Sequence, residues 1–202
     1  GAVVAALLMW LVACSSGGGS GDGVGSSLSI SLTFGDSAPS GPNVAWIDGA
    51  MSVGDMQVVQ LLARDISIPF DGFGFELSFD PTIARVESVT SGGFLLSCSG
   101  GLTPLPLNNL TSPGANDTGL LIVSEILPGA TQGCTLAGQA TLALITFRAR
   151  TVGTANLTLI PCSGSDPNTA TGSCFYGSTS PTSLVPVAAS DHRAASLEVA
   201  GS

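Results

Sequence analysis

The sequence predicts an all-β fold, a sandwich or barrel of about nine short strands. Segments in which apolar and polar residues alternate recur along the chain, and clusters of Gly, Pro, Asn and Asp separate them. The 202 residues include 27 Gly and 12 Pro, and no long run of the Ala, Leu, Glu and Lys that stable helices use. Strict alternation is typical of a strand with one face buried and the other in solvent.

Two segments alternate most regularly. LSISLTF (28–34) places four apolar side chains on one face and Ser or Thr on the other, and FGFELSF (73–79) places three phenylalanines and a leucine together. A turn is predicted at DPTIA (80–84), because Pro after Asp suits the start of a helical turn. The remaining predicted strands lie within 44–47, 56–63, 84–89, 119–126, 140–150, 154–160 and 194–199.

The first segment, GAVVAALLMWLVA (1–13), has no charged or polar side chain. As a helix it would span about 20 Å, less than the roughly 30 Å of a bilayer core, so it fits the apolar region of a secretion signal. Leu-Val-Ala-Cys at 11–14 resembles the lipobox of bacterial lipoproteins, whose cysteine is acylated and becomes the new N-terminus. Residues 1–14 are therefore expected to be a signal and lipobox segment, with Cys14 lipidated. Because the sequence starts at Gly, we expect the basic leading part of that signal to be missing from it.

Two other interpretations of the apolar segment stay open: an ordinary signal peptide cleaved nearby, or a hydrophobic strand packed into the fold. SSGGGSGDGVGSS (15–27) is predicted to be a flexible linker, since it has too little apolar surface to fold. Residues 28–202 then form one domain. The expected location is the bacterial cell envelope or surface, reached by export and held by a lipid anchor.

Charge excludes several classes of partner. The formal net charge is -9, and five arginines with no lysine supply every basic side chain apart from one histidine. Such a chain cannot replace the counterions of nucleic acid or of acidic lipid surfaces. Nucleic acid is therefore not an expected partner, and contact with a membrane is expected through the lipid anchor only.

Five cysteines occur, and lipidation of Cys14 would leave four for two disulfides. Four cysteines can form two disulfides in three ways. Closeness in sequence favours the one that pairs Cys98 with Cys134 and Cys162 with Cys174. No Cys-x-x-Cys pair exists to suggest a zinc site. The Gly-x-Ser-x-Gly motif of serine hydrolases is also absent, and we predict that the protein is not an enzyme.

Candidate ligand sites are few. Asp48, Asp71 and Asp166 lie in turn-like contexts and are the candidates for calcium, although no Asp-x-Asp-x-Asp spacing occurs; no other cofactor is expected. The candidates for ligand contact are the aromatic residues Trp46, Phe175 and Tyr176. The alternative for the last two is that they cover the end of the sandwich.

VGDMQVVQLLARDISIPFDGFGFELSFDPTIARVESVTSGGFL (53–95) resembles the first half of a cohesin domain. GLLIVSEILPG (119–129) and GQATLALITFRARTVGTANLTL (138–159) resemble that family's closing strands. The resemblance implies a nine-stranded jelly-roll β-sandwich that binds a protein partner of dockerin kind. The chain departs from the family in its four domain cysteines and in a Ser/Thr/Pro-rich segment, 161–193, expected to be a long loop. Both departures put dockerin binding by the family's usual face in doubt.

The function predicted is that of a surface-anchored, non-enzymatic binding or scaffolding lipoprotein that docks a protein, either dockerin-like or another envelope protein. A carbohydrate-binding module that takes polysaccharide is the second hypothesis; it requires a planar row of exposed aromatics, and aromatics make up only 5% of the chain. The third is a structural subunit of a surface layer or filament in which the apolar N-terminus is retained and packed between neighbours.

Overall fold

A computed structural model describes residues 27–130, 133–163, 170–177, 184–186 and 193–201. The predicted signal segment with Cys14, and all but the last residue of the linker, lie outside the described residues. The described elements are β1 (Leu28–Phe34), β2 (Val44–Val53), β3 (Met56–Ser78), β4 (Ala84–Ser91), α1 (Phe94–Cys98), β5 (Leu105–Asn108), α2 (Ala115–Thr118), β6 (Leu120–Ile126), β7 (Cys134–Ala149), β8 (Gly153–Leu159), β9 (Cys174–Gly177), β10 (Leu184–Pro186) and β11 (Ala195–Gly201).

The strands form a β-sandwich in which every strand pair is antiparallel. One layer has the order β4-β7-β3-β2 and uses the first part of β3. The other has the order β1-β11-β8-β3-β6-β5 and uses the second part of β3. Strand β3 therefore belongs to both layers and joins them.

The prediction of separate strands at 56–63 and 73–79 was wrong. The structure carries one strand of 23 residues through both segments. Its register against β7 shifts between Leu61 and Leu62 and again on either side of Ile66, and Asp65 has a φ of 49°. Such irregularities bend a strand without ending it, which lets β3 pass from one layer to the other.

The core lies between the two layers and contains the predicted alternating faces. Phe73, Phe75 and Leu77 are each at most 2% exposed, and the inward residues of β8 are equally buried. The ring of Phe175 packs edge-on against Phe70, with centroids 4.9 Å apart, and against Phe75 at 5.5 Å. These aromatic contacts join β9 to the middle of the fold.

The two ends of the sandwich differ. At the end where the linker joins β1, which we call the tether end, Ile30 N donates to Gly54 O, and Leu28 pairs with Gly201. The predicted turn forms at this end, where Asp80 Oδ1 accepts from both the backbone N and the Oγ1 of Thr82. The opposite end, called the far end, carries α1, the start of β7 and the segment before β9.

Several elements were not predicted. These are strands β5, β9 and β10 and both helices, and β9 and β10 lie inside the segment 161–193, which was expected to be a long loop. Strand β9 pairs with β3, Phe73 opposite Phe175, and β10 pairs with β9. The helices have five and four residues, and within the described part of the chain no helix has the length and hydropathy needed to cross a bilayer.

Candidate functional site

An exposed apolar surface lies on the outer face of the β5–β6 pair. Leu105 and Leu107 of β5 are 47% and 54% exposed, and Ile122 and Ile126 of β6 are 39% and 37% exposed. Leu105 lies opposite Ile126, and Leu107 lies opposite Ser124. Because side chains alternate between the faces of a sheet, these four side chains share one face. We call Leu105, Leu107, Ile122 and Ile126 the apolar row.

The neighbouring strand β3 presents two glycines to this surface. Gly72 lies opposite Ile126, and Gly74 lies opposite Ser124. A Cβ on Gly72 would come within 2.9 Å of Ile126 Cγ2, and one on Gly74 within 3.0 Å of the Tyr176 hydroxyl oxygen. The ring of Tyr176 therefore lies across Gly74 and continues the face of the apolar row toward β9. Burial, and secondarily the charge of Glu76, raise the pKa of Tyr176.

The segment before the last strand extends the sheet. Strand β9 lies beside β3 in the same layer, with Gly74 opposite Cys174. The backbone N of Gly172 donates to Glu76 Oε1 at 3.1 Å, which holds the chain before β9 against β3. In its described part, this segment widens the face that carries the apolar row.

Both disulfides join the pairs that locality favours. Cys98 is bonded to Cys134, and this bond connects the end of α1 to the start of β7. Cys162 is bonded to Cys174, and this bond connects the chain after β8 to β9. Both bonds lie at the far end, so they support the loops beside the apolar row.

Two of the three aromatic contact candidates are buried, and the prediction was wrong for them. Phe175 is 0% exposed because it points into the core from β9. Trp46 is 1% exposed and packs with Val44 and Leu62 outside the main core. The guanidinium of Arg64 lies 4.9 Å from the centroid of its ring. Tyr176 is partly exposed, and it alone of the three lies on the face of the apolar row.

The described residues show no calcium site at the predicted candidates. Asp48 Oδ1 accepts from the backbone N of Gly49 at 2.8 Å and lies 3.3 Å from Arg193 Nη1, so it serves the bulge of β2 and an ion pair. Burial raises the pKa of Asp71 more than a hydrogen bond to its own backbone lowers it. Asp166 lies outside the described residues, among which no group of three His, Cys, Asp or Glu side chains could hold a metal ion.

Glu125 is a buried acidic residue next to the apolar row, and it was not singled out from the sequence. It lies in β6, is 3% exposed, and accepts a hydrogen bond from Ser91 Oγ at 2.8 Å through Oε1. Its other oxygen, Oε2, is buried with no hydrogen-bond partner. Burial raises the pKa of Glu125 more than the Ser91 hydrogen bond lowers it. Its alternation with Leu121 and Val123 in LLIVSEI is the signal that places it inward.

The arginines lie away from the apolar row. Arg148 pairs with Asp55 and Glu87 at the tether end, and Arg85 also pairs with Glu87. Arg150 donates to the carbonyl of Pro81, also at that end. The other two are Arg64, over Trp46 in the opposite layer, and Arg193, beside Asp48. The charged side chains nearest the row are thus acidic.

No protein family matches the sequence, and no curated protein matches it. Among solved structures, the second type II cohesin module of the adaptor ScaA scaffoldin from Acetivibrio cellulolyticus is similar, with 17% identity, 74% of this chain and 91% of that chain covered, and a TM-score of 0.50. The sixth cohesin of scaffoldin B from Acetivibrio cellulolyticus, in complex with a Cel5 dockerin mutant, has 18% identity, coverage of 72% and 91%, and a TM-score of 0.47. A cohesin module of a Clostridium perfringens family 33 glycoside hydrolase has 8% identity, coverage of 78% and 94%, and a TM-score of 0.46. The first of these likenesses confirms a cohesin-like β-sandwich and, at this identity, shows the fold alone.

Proposed function

We propose that this chain is an exported, non-enzymatic binding module that docks a protein on the outer face of β5, β6, β3 and β9. The observation that carries the proposal is the apolar row. Single exposed apolar side chains are ordinary on a protein surface, whereas an adjacent set is typical of an interaction site. The row lies on paired strands, so its shape is fixed before a partner arrives, which lowers the entropic cost of binding.

Tyr176 adds to this proposal. Tyrosine is enriched at protein interfaces because it combines a large apolar ring with a hydroxyl that can form hydrogen bonds. Its ring lies over Gly74, and Ile126 of the row lies over Gly72 of the same strand, so the docking face runs from β5 to β9. The Ser/Thr/Pro-rich segment then contributes a contact residue to the face.

The proposed partner is a protein of dockerin kind or another envelope protein with an apolar contact surface. The sixth cohesin of scaffoldin B was crystallised with a dockerin. We rest the proposal on the apolar row and not on that complex. Since this chain carries a net charge of -9 and its docking face has Glu76 at its border, the partner's rim is expected to be neutral or basic.

Export and anchoring belong to the same proposal. Two disulfides support an oxidising compartment, because such bonds are rare in the reducing cytosol. We propose that Cys14 carries the lipid anchor and that the linker spans up to about 45 Å from it. The linker joins the domain at the tether end, and the apolar row extends to the far end, so the docking face is held away from the membrane.

The burial of Trp46 and Phe175 weighs against the carbohydrate-binding alternative. A planar polysaccharide site uses several exposed aromatic rings, and on the described outer face only Tyr176 is such a ring. The third alternative, a structural subunit, predicts that the apolar row contacts a second copy of the chain.

The test is a comparison of two charge substitutions on the full, oxidised chain. Leu107→Asp alters the apolar row, and Val152→Asp alters a side chain that is 59% exposed at the tether end and serves as the control. Envelope and secreted fractions are passed over each protein, bound proteins are identified by mass spectrometry, and their affinity is measured after purification. We expect Leu107→Asp to lower the affinity for a specific partner at least about tenfold. Val152→Asp is expected to leave that affinity unchanged.

Three results would contradict the proposal. Equal binding by both variants would show that the apolar row is not the docking site. Retention on insoluble polysaccharide without any protein would favour the carbohydrate-binding alternative. Capture of the chain by itself alone would favour the structural subunit.

A further inference from the structure

Asp48 and Gly49 form an Asp-Gly pair at an irregular position of β2. The register between β2 and β3 shifts between Gly49 and Met51, which leaves Ala50 as the extra residue of a bulge. A bulge interrupts the ladder of backbone hydrogen bonds at the residues around it. Gly49 is exposed, so this part of the backbone is also in contact with solvent.

The side chain of Asp48 is folded back on the peptide group that follows it. The backbone N of Gly49 donates to Asp48 Oδ1 at 2.8 Å, so the amide nitrogen of one residue touches the carboxyl group of the residue before it. Glycine has no Cβ to obstruct the approach of this nitrogen to the carboxyl carbon. Two reacting groups that are already in contact avoid much of the entropic cost of their reaction.

We propose that Asp48 is a site of spontaneous conversion to isoaspartate in the folded protein. The nitrogen of Gly49 bonds to the side-chain carboxyl carbon of Asp48, and one carboxyl oxygen leaves as water with the carboxyl proton and the amide proton. Water then adds to the main-chain carbonyl carbon of the cyclic imide, and the original C–N bond breaks. The peptide chain afterwards runs through the side chain, and a free carboxylate remains on the α-carbon. Water is the only co-reactant, and the mass is unchanged.

Asp71 and Gly72 form the second Asp-Gly pair among the described residues and provide an internal comparison. Gly72 is buried and lies between two strands, opposite Ile126 of β6 and Tyr176 of β9, and this pairing holds the backbone extended. Burial raises the pKa of Asp71, which favours the protonated carboxyl group that can release water. The state of the carboxyl group therefore favours conversion at Asp71, whereas the backbone geometry favours Asp48.

Conversion would remove a contact that joins β2 to the chain before β11. Arg193 Nη1 lies 3.3 Å from Asp48 Oδ1, and its Nε donates to the carbonyl of Asp36. The guanidinium also lies 3.5 Å from the centroid of the Phe34 ring. Isoaspartate adds one carbon to the backbone and moves the carboxylate, so Arg193 loses its ionic partner. Arg193 would then contact β1 and the residues after it, and no longer β2.

The experiment ages the full, oxidised chain at mildly acidic pH, beside a sample kept unfolded in urea and reductant. Trypsin cleavage after Arg64 places the two Asp-Gly pairs on different peptides. Endoproteinase Asp-N, which does not cut before isoaspartate, then measures conversion at each site. We expect conversion at Asp48 to be at least about threefold faster than at Asp71 in the folded chain. In urea the two rates should converge, because only the shared Asp-Gly sequence remains. A folded rate at Asp48 equal to or below that at Asp71 would overturn the proposal.

Gly49→Ala tests the role of the attacking nitrogen. A Cβ at Gly49 would meet Leu32 Cδ2 at an ordinary 3.6 Å, so the variant is expected to fold with an unchanged melting temperature when fresh. The methyl group obstructs ring closure, so conversion at Asp48 should fall at least about tenfold while conversion at Asp71 stays the same.

The melting temperature of aged samples measures the loss of the Arg193 contact. In the unaltered chain it should fall as isoaspartate accumulates, and in Gly49→Ala aged in parallel it should not. An unchanged rate at Asp48 in Gly49→Ala would contradict attack by this nitrogen. No partner protein and no lipid anchor takes part in these measurements, so their outcome is independent of the Leu107→Asp comparison.

Discussion

The hydroxyl oxygen of Tyr176 lies 3.0 Å from the position that a Cβ on Gly74 would occupy. This contact lays the side chain of Tyr176, in β9, against the backbone of β3, beside the apolar row. Only a glycine at this position leaves room for the ring as it stands. The pair connects the Ser/Thr/Pro-rich segment to the proposed docking face through a single side chain.

Tyr176 is the only tyrosine in the chain, so its ionisation can be followed directly by ultraviolet absorbance. Burial raises its pKa above the ordinary value of 10.0. We expect Gly74→Ala to displace the ring into solvent and to lower the titration midpoint toward 10.0. Because the folded pKa is the higher one, the stability that neutral Tyr176 contributes is present below pH 10.0 and falls as pH rises further. An unchanged midpoint in Gly74→Ala would contradict this placement of the ring.

Glu125→Gln should change how stability depends on pH. The folded pKa of Glu125 lies above the ordinary value of 4.5, so the folded state binds the proton more tightly. Its contribution is therefore largest below pH 4.5 and is lost as pH rises through the folded pKa. We expect Glu125→Gln to raise the free energy of unfolding at pH 7 by about 1 kcal/mol and to show no gain at pH 4.

Urea unfolding of both proteins at each pH measures this difference. The unaltered chain is the necessary reference, because the contributions of Asp80 and Asp117 to stability rise with pH, opposite to that of Glu125. Hydrogen bonds lower their pKa values, mainly from Thr82 to Asp80 and from Gly114 to Asp117. A stability difference that is independent of pH would show that Glu125 is not buried as described.

Removal of each disulfide should destabilise the domain to a different extent. Cys98 and Cys134 are 36 residues apart, and Cys162 and Cys174 are 12 apart. Loop-closure entropy then predicts losses of about 4 and about 3 kcal/mol respectively. Paired serine substitutions, each compared with the unaltered chain by denaturant unfolding, measure both values. Equal stability of the unaltered chain with and without reductant would contradict the expectation for both bonds.

Gly92→Ala should be strongly destabilising. A Cβ at Gly92 would overlap the backbone carbonyl of Thr141, and the N of Gly92 donates to Leu142 O at 2.8 Å. We expect a loss of about 3 kcal/mol or more, because neither backbone can move freely. Gly35→Ala is the matched control, since its Cβ would meet Ala194 Cβ at an ordinary 3.6 Å. Similar midpoints of thermal unfolding for the two variants would show that β4 and β7 are not in close contact here.

Much of the sandwich can be predicted from the local alternation of apolar and polar residues. The inward faces of β1 and of the second part of β3 were predicted from alternation alone, because a buried face requires an apolar residue at every second position. Strand β3 was divided in the prediction because Asp65 and Pro69 are typical turn residues. In the structure, pairing with β7 keeps this stretch extended, and long-range pairing of that kind leaves no local signal.

The candidate site depended more heavily on tertiary structure. Strand β5, LPLN, has four residues and one proline, so nothing in its own sequence separates it from a loop. Its exposed leucines become part of a surface only when β6 lies beside them. Trp46 shows the opposite case: its strand position points outward, yet the segment near Ala38 and the guanidinium of Arg64 cover it.

The positions of β1 and of the apolar row in one sheet have a mechanical consequence. A pull applied at Leu28 and resisted at the apolar row has a component along the strands and a component across the sheet, because β1 and β5 are its opposite edges. The seven residue pairs that join β1 to β11 would then be loaded together in shear, instead of being peeled apart one at a time. The same antiparallel pairing continues through β8 to β3. The geometry thus suits a tether that carries tension, since the component of the pull along the strands is shared by all seven pairs of the edge strand.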